Sequence, residues 1–119
     1  VNDPGTAVDV VHRLTDVLLD LRDEAGTARD RDDVAFDRVF VPPVDCRKLV
    51  RAAFAPIARD GDAQLEVQLA LQHALTRIAR HGSGALPEAA ADMAGEAMDR
   101  AEAGLGLPTD IERVRAAYG

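Results

Sequence analysis

The residues that most often carry out chemistry in proteins are sparse in this chain and far apart. Its histidines are His12, His73 and His81, which fall in different predicted elements. The chain has no His-Glu-x-x-His run and no close histidine pair, so a zinc site would require three separate helices to converge. We therefore interpret the histidines as surface or partly buried side chains, with a three-histidine metal site as the alternative.

Carboxylates are more numerous, and one set of them recurs at regular spacing along the sequence. Four acidic residues recur at helical intervals and are predicted to share one helix face: Glu88, Asp92, Glu96 and Asp99. Two such helices can build a carboxylate metal site in a bundle, but the Glu-x-x-His motif of those sites is absent. The favoured interpretation is a solvated acidic face. The basic residues expected against this face, within the molecule or across a dimer, are Arg47, Lys48 and Arg51.

Nucleophile signals are weak. Ser83 is the only serine, no Gly-x-Ser-x-Gly motif surrounds it, and the run Gly82 to Gly84 is too short for a phosphate-binding loop. Cys46 lies on the apolar side of a predicted helix, which is typical of a small core residue rather than a reactive thiol. We therefore assign no catalytic residue, no metal ligand and no cofactor. An enzyme is the least favoured class of function.

Composition limits the remaining classes. The 119 residues carry a net charge of −7, and 47% of them are hydrophobic but only 3% aromatic. This length fits one domain with an aliphatic core, and the negative charge argues against nucleic acid as a partner. No run of 18 apolar residues and no signal-peptide pattern occurs. Because the chain begins at Val1 without a methionine, directly at a capping motif, we expect it to be a fragment of a larger protein.

One stretch is predicted to organise the rest. The run from Asp62 to His81 contains no Gly or Pro and is apolar around most of its helical wheel, which indicates a helix packed on most sides. Asp62 is the predicted N-cap and Gly82 the stop signal. Three glutamines form one uncharged row along it: Gln64, Gln68 and Gln72.

Helical periodicity also predicts the surrounding elements. The first helix is expected from Pro4 to about Glu24, ended by Gly26, with Ala7, Val10, Val11, Leu14, Val17, Leu18 and Leu21 at its apolar positions. Residues 27–35 are predicted to be a mobile charged loop, and residues 36–43 a short extended segment ended by two prolines. A further helix starts at the cap Asp45 and contains Pro56, where we expect a kink or a break.

Two more helices complete the prediction. An Ala-rich helix should run from Leu86 to about Leu105, and a short one from Asp110 to Ala117 with Ile111, Val114 and Tyr118 turned inward. The predicted fold is all-α: a single domain over residues 1–119, forming a compact bundle of four main helices plus a short C-terminal helix, with one short extended segment near 36–43.

Three stretches carry a resemblance to a known family: Val1 to Ala7 (VNDPGTA), Phe36 to Pro43 (FDRVFVPP) and Phe54 to Gly61 (FAPIARDG). In order and spacing they resemble the C-terminal region of a bacterial family of predicted membrane proteins, domain of unknown function 2254. Members have several N-terminal transmembrane helices, a middle region and a helical soluble C-terminal part. A Ser-Pro-Gly segment usually precedes the first stretch and is missing here, and Cys46 is not a fixed position. The family has no established activity, so no catalytic residue is carried over.

The resemblance implies a soluble C-terminal domain of a bacterial membrane protein, acting as an assembly or regulatory module. The alternative is a small-molecule or ion sensor. The expected partners are the upstream transmembrane region of the same protein and a second copy, in a homodimer through the Ala-rich helix. The expected location is the cell membrane, with this domain on the cytoplasmic side. Five polar residues form the predicted ligand or interaction site, with capping and turn structure as the alternative: Asn2, Asp3, Thr6, Arg38 and Arg59.

Overall fold

Over the part of the chain that the structure describes, the helical periodicity of the sequence forms five helices. A computed structural model of the protein describes residues 4–31, 45–82 and 84–118, and for residues 21–31 it describes the backbone. The helices are α1 (Pro4–Arg31), α2 (Cys46–Asp60), α3 (Leu65–His81), α4 (Leu86–Gly104) and α5 (Pro108–Tyr118). The predicted all-α bundle is confirmed. The extended segment predicted at 36–43 lies outside the described residues.

The central position predicted for the third helix is also confirmed. α3 contacts each of the other four helices, while α1 contacts only α3 and α2 among the described helices. Leu71, Leu75 and Ile78 of α3 have almost no exposed surface, because neighbours cover the helix on most sides. The remaining core comes largely from the Ala-rich face of α4 and from Val50 and Phe54 of α2.

The Ala-rich face of α4 packs inside the bundle, which bears on the predicted homodimer. Its small residues are buried inside the bundle: Ala89, Ala90, Ala94, Ala97 and Ala101. Alanine at these positions lets α3 and α2 approach α4 closely. This small-residue face is therefore already used within one chain, and the homodimer through the Ala-rich helix stays a prediction.

Several predicted boundaries need correction. α1 does not end near Glu24 but continues through Gly26 to Arg31, so residues 27–31 are helical rather than a loop. A glycine within a helix costs only about 1 kcal/mol relative to alanine, which does not by itself end a long helix. Residues 32–35 of the predicted loop lie outside the described residues, and the mobility of the segment stays a prediction.

The interior of α2 and the start of α3 also differ from the prediction. Pro56 lies within a continuous α2, so the predicted break does not occur. Pro56 and Ala52 are both on the exposed side of the helix, where water can bond the carbonyl group that the proline leaves without a donor. α3 begins at Leu65 after the N-cap Gln64, whereas the predicted cap Asp62 belongs to the preceding turn. Gly82 ends α3 as predicted, its N–H donating to the Ile78 carbonyl at 2.7 Å.

Candidate functional site

A row of ion pairs joins the exposed sides of α2 and α4. Arg47 and Arg51 lie one turn apart on α2, facing acidic residues that follow the same spacing on α4. Arg47 is 3.2 Å from a carboxylate oxygen of Glu88 and 2.9 Å from one of Asp92. Arg51 pairs with Glu96. The predicted contact between the acidic face and the basic residues of α2 is therefore confirmed for both arginines, within one molecule.

The local sequence explains why α2 presents these arginines. Asp45 caps the helix by accepting a hydrogen bond from the Lys48 N–H at 3.2 Å, which fixes where the helical turns begin. From that start, Val50 and Phe54 face the core, and Arg47 and Arg51 face outward. Apart from Glu96, the paired groups are more than half exposed, so each pair of Arg47 contributes at most about 1 kcal/mol and mainly orients α2 against α4.

An open cleft of about 730 Å³ lies between α4 and α5. Its walls combine acidic side chains of α4 with the C-terminal part of α5. The lining residues are Ala91, Asp92, Gly95, Glu96, Met98, Asp99, Glu102, Arg115 and Tyr118. A concave surface of this volume is large enough to be considered for a small ligand.

Arg115 is the cation in this cleft. One of its nitrogen atoms donates to Glu102 at 2.9 Å and another to Glu112 at 2.7 Å. The hydrogen bond to Glu102 raises the pKa of Arg115 above its ordinary value, with a smaller contribution from the charge of Glu112. The guanidinium therefore stays charged at any physiological pH, and it can bind an anion or hold a carboxylate but cannot accept a proton.

Tyr118 corrects one expectation about α5. Val114 is buried as predicted, but Tyr118 is 45% exposed rather than turned into the core. Its hydroxyl lies over Gly95 of α4, and a Cβ atom at that position would be 3.4 Å from it. The ring therefore forms part of the rim of the cleft. Sequence spacing placed Tyr118 on the same side as Val114, but the end of α5 brings its hydroxyl next to Gly95, which has no side chain to cover it.

Two fully buried glutamines are the main polar feature of the core. Gln68 Nε2 donates to the carbonyl oxygens of Ala58, at 3.3 Å, and Gly61, at 2.9 Å, both at the end of α2. Gln72 Nε2 donates to the Ala94 carbonyl oxygen of α4 at 3.0 Å. Among described atoms, neither Oε1 has a hydrogen-bond partner. The predicted glutamine row thus joins three helices from inside the bundle, which sequence spacing alone did not reveal.

The residues of the predicted ligand site are only partly described. Three lie outside the described residues: Asn2, Asp3 and Arg38. Thr6 is exposed in the first turn of α1, and Arg59 is exposed in the last turn of α2, where its Nε is 3.9 Å from a carboxylate oxygen of Asp60. The convergence of these five residues and their role as a site stay predictions.

The groups that could act in metal binding or covalent chemistry are spread over the bundle. His12, His73 and His81 are all exposed, on α1 and on opposite halves of α3. Within the described ranges no cluster of histidine, cysteine and carboxylate side chains is arranged to hold a metal ion. Cys46 is half-buried beside the core, as expected from its position on the apolar side of α2.

Comparison with models of protein families gives a match over more than half of the chain. No curated protein and no solved structure matches the chain. Among the described helices, none is both long enough and apolar enough to cross a membrane. A family model described as "Predicted membrane protein (DUF2254)" matches residues 1–77, which include α1, α2 and most of α3. Because this match covers more than half of the 119 residues, the chain belongs to that family of predicted membrane proteins, as its VNDPGTA and FDRVFVPP stretches indicated.

Proposed function

We propose that this chain is the soluble helical module of a bacterial membrane protein and that it acts in assembly or regulation rather than in catalysis. The observation that carries the proposal is the family match, which places most of the central helix α3, and both helices that precede it, within a predicted membrane protein. The chain also builds its own core around α3. A module with its own core can hold a fixed surface beside a membrane-embedded part.

The charged groups of the surface support a structural role. Arg47, Arg51 and Arg115 each bind carboxylates of neighbouring helices, so these cations orient the bundle. We place the module on the cytoplasmic side of the cell membrane, where the single thiol of Cys46 would stay reduced. In this arrangement its partners are the membrane-embedded part of the same protein and further copies of it.

The proposal is tested on the full-length protein from the source bacterium. Membranes are solubilised in a mild detergent, and the size of the complex is measured by native electrophoresis for the intact protein and for a variant that lacks residues 1–119. We expect both proteins in the membrane fraction and fewer subunits per complex for the variant, after its lower subunit mass is subtracted. Recovery of the intact protein from the non-membrane fraction, or equal numbers of subunits in the two complexes, would contradict the assembly role.

The alternative, a sensor of small molecules or ions, is supported by the open cleft between α4 and α5. All of its lining residues lie beyond residue 77, outside the part matched by the family model. A sensing function at this cleft therefore draws no support from the family match. Thermal unfolding with metals, nucleotides and small acids tests it, because a ligand that binds only the folded state raises the melting temperature. A shift that disappears in Arg115→Ala would support sensing; no shift with any of them would remove it for those ligands.

A further inference from the structure

α1 has apolar residues on two sides, and only one of them is covered. Val11 and Leu18 are buried against the bundle, together with the hydroxyl of Thr15, which donates to the Val11 carbonyl at 2.8 Å. Val10 is 38% exposed and Val17 is 55% exposed. The sequence suggested one broad apolar face that includes both valines. The structure divides that face into a buried side and an exposed flank.

The spacing on the exposed flank is that of a coiled coil. Ala7, Val10, Leu14 and Val17 are separated by three, four and three residues, the alternation of apolar positions by which two helices pack side by side. At about 100° per residue, this flank lies roughly 100° around the helix from the buried side. We call these four residues the flank seam. Ala7 and Leu14 are half-buried at its inner edge, which leaves the two valines as its exposed part.

The charges beside the seam indicate what covers it. Arg13 and Asp20 are both exposed along its outer edge, and neither forms an ion pair with another described residue. In an antiparallel pair of identical helices with Leu14 opposite Val17 of the second copy, Arg13 falls opposite Asp20 of the second copy. The twofold symmetry then repeats both contacts. The seam is thus complementary to itself in shape and in charge.

A parallel pair does not satisfy the same charges. In parallel packing, the position of Arg13 faces that of Leu18 in the second copy, and Leu18 is buried within its own bundle. Arg13 and Asp20 would then stay without partners. The charges therefore favour the antiparallel arrangement.

We propose that the flank seam of α1 is a homodimer interface, in which two copies pack their α1 helices antiparallel with Leu14 opposite Val17 and Arg13 opposite Asp20. The inference rests on the proposed assembly role and names a second copy of this chain as the partner. It is tested on the 119-residue chain without a membrane. A monomeric chain would therefore overturn this interface, whereas membrane location is decided separately by fractionation of the full-length protein.

The first test is sedimentation equilibrium of the wild type, Val17→Asp and Leu107→Asp. Leu107 is the matched control, because it is 61% exposed on the link between α4 and α5 and the substitution changes the net charge equally. Placing one aspartate from each copy in the seam should raise the dissociation constant by at least about tenfold. The control should leave it unchanged. Equal effects of both substitutions, or a wild type that is monomeric at about 1 mM, would overturn the proposal.

The second test exchanges the two charges. Arg13→Asp alone and Asp20→Arg alone each place like charges opposite each other twice per dimer, so each should weaken the dimer by roughly threefold to tenfold. The double variant restores opposite charges and should return the dissociation constant to that of the wild type. If the double variant is weaker than both single variants, the antiparallel interface is wrong. Because both residues are exposed, circular dichroism should show the same fold for all three variants.

Discussion

The buried glutamines allow a prediction in which two similar substitutions have opposite effects. Gln72→Met keeps the length and unbranched shape of the side chain but removes its amide. The hydrogen bond to the Ala94 carbonyl is lost, at a cost of about 0.5–1.5 kcal/mol. That carbonyl lies in the interior of α4 and keeps its helical donor one turn later. The substitution also removes the buried Oε1 that has no described partner, a group whose burial costs about 1–3 kcal/mol.

The balance for Gln72→Met is therefore a gain in stability of about 1 kcal/mol. Gln68→Met is the matched comparison, one turn earlier on the same helix. Its amide bonds two carbonyl oxygens at the end of α2, and no other described donor reaches that of Ala58. Removing the amide eliminates the unpaired Oε1 but leaves the Ala58 carbonyl oxygen without a donor, and it also breaks both hydrogen bonds. We therefore expect the free energy of unfolding to fall by about 1–3 kcal/mol.

Urea unfolding followed by far-UV circular dichroism measures both effects as free energies of unfolding, provided that the slope with urea stays constant. The expected order of stability is Gln72→Met, then wild type, then Gln68→Met. A loss on Gln72→Met as large as that on Gln68→Met would refute the reasoning. It would mean that Gln72 Oε1 has a bonding partner in solution and that the carboxamide holds α3 to α4 through both of its ends.

Three further predictions concern packing and capping, all measured by the same unfolding experiment. Leu71→Ala should cost about 2–5 kcal/mol, because the side chain is fully buried at the centre of α3, and a loss under about 1 kcal/mol would contradict that position. Gly104→Ala should destabilise the fold by about 1–3 kcal/mol, since its Cβ would lie 2.5 Å from the Asp62 carbonyl oxygen. Gly95→Ala should be neutral or stabilise the fold by up to about 1 kcal/mol. Asp45→Ala should cost about 0.5–2 kcal/mol through the lost cap of α2, and no change would mean that the cap is not formed.

The sequence predicted those features that depend on local periodicity. The core positions of α3 and α4 and the cap at Asp45 all follow from spacing and side-chain type within one helix. The acidic row on α4 could be matched with Arg47 and Arg51 because both sets repeat with the helical turn. Each of these inferences needed only one element, or two regular ones.

The features that sequence analysis missed depend on which elements become neighbours. Val10 and Val17 have the same apolar character as Val11, and only the position of α3 decides which of them is buried. The ion pair of Glu102 with Arg115 crosses the turn between α4 and α5, so helical spacing could not predict it. The pair of Glu112 with Arg115, by contrast, has the i, i+3 spacing that a sequence displays directly.

The most direct test of the assembly role is cross-linking of the full-length protein in its native membrane. Two versions, both carrying Cys46→Ala and distinguished by tags, contain either Leu14→Cys or Val17→Cys and are produced together. After mild oxidation of isolated membranes, we predict a disulfide between the two differently tagged versions and little between identical ones, because Leu14 faces Val17 across the antiparallel seam. Disulfides mainly between identical versions, or none in the membrane fraction, would contradict assembly through α1.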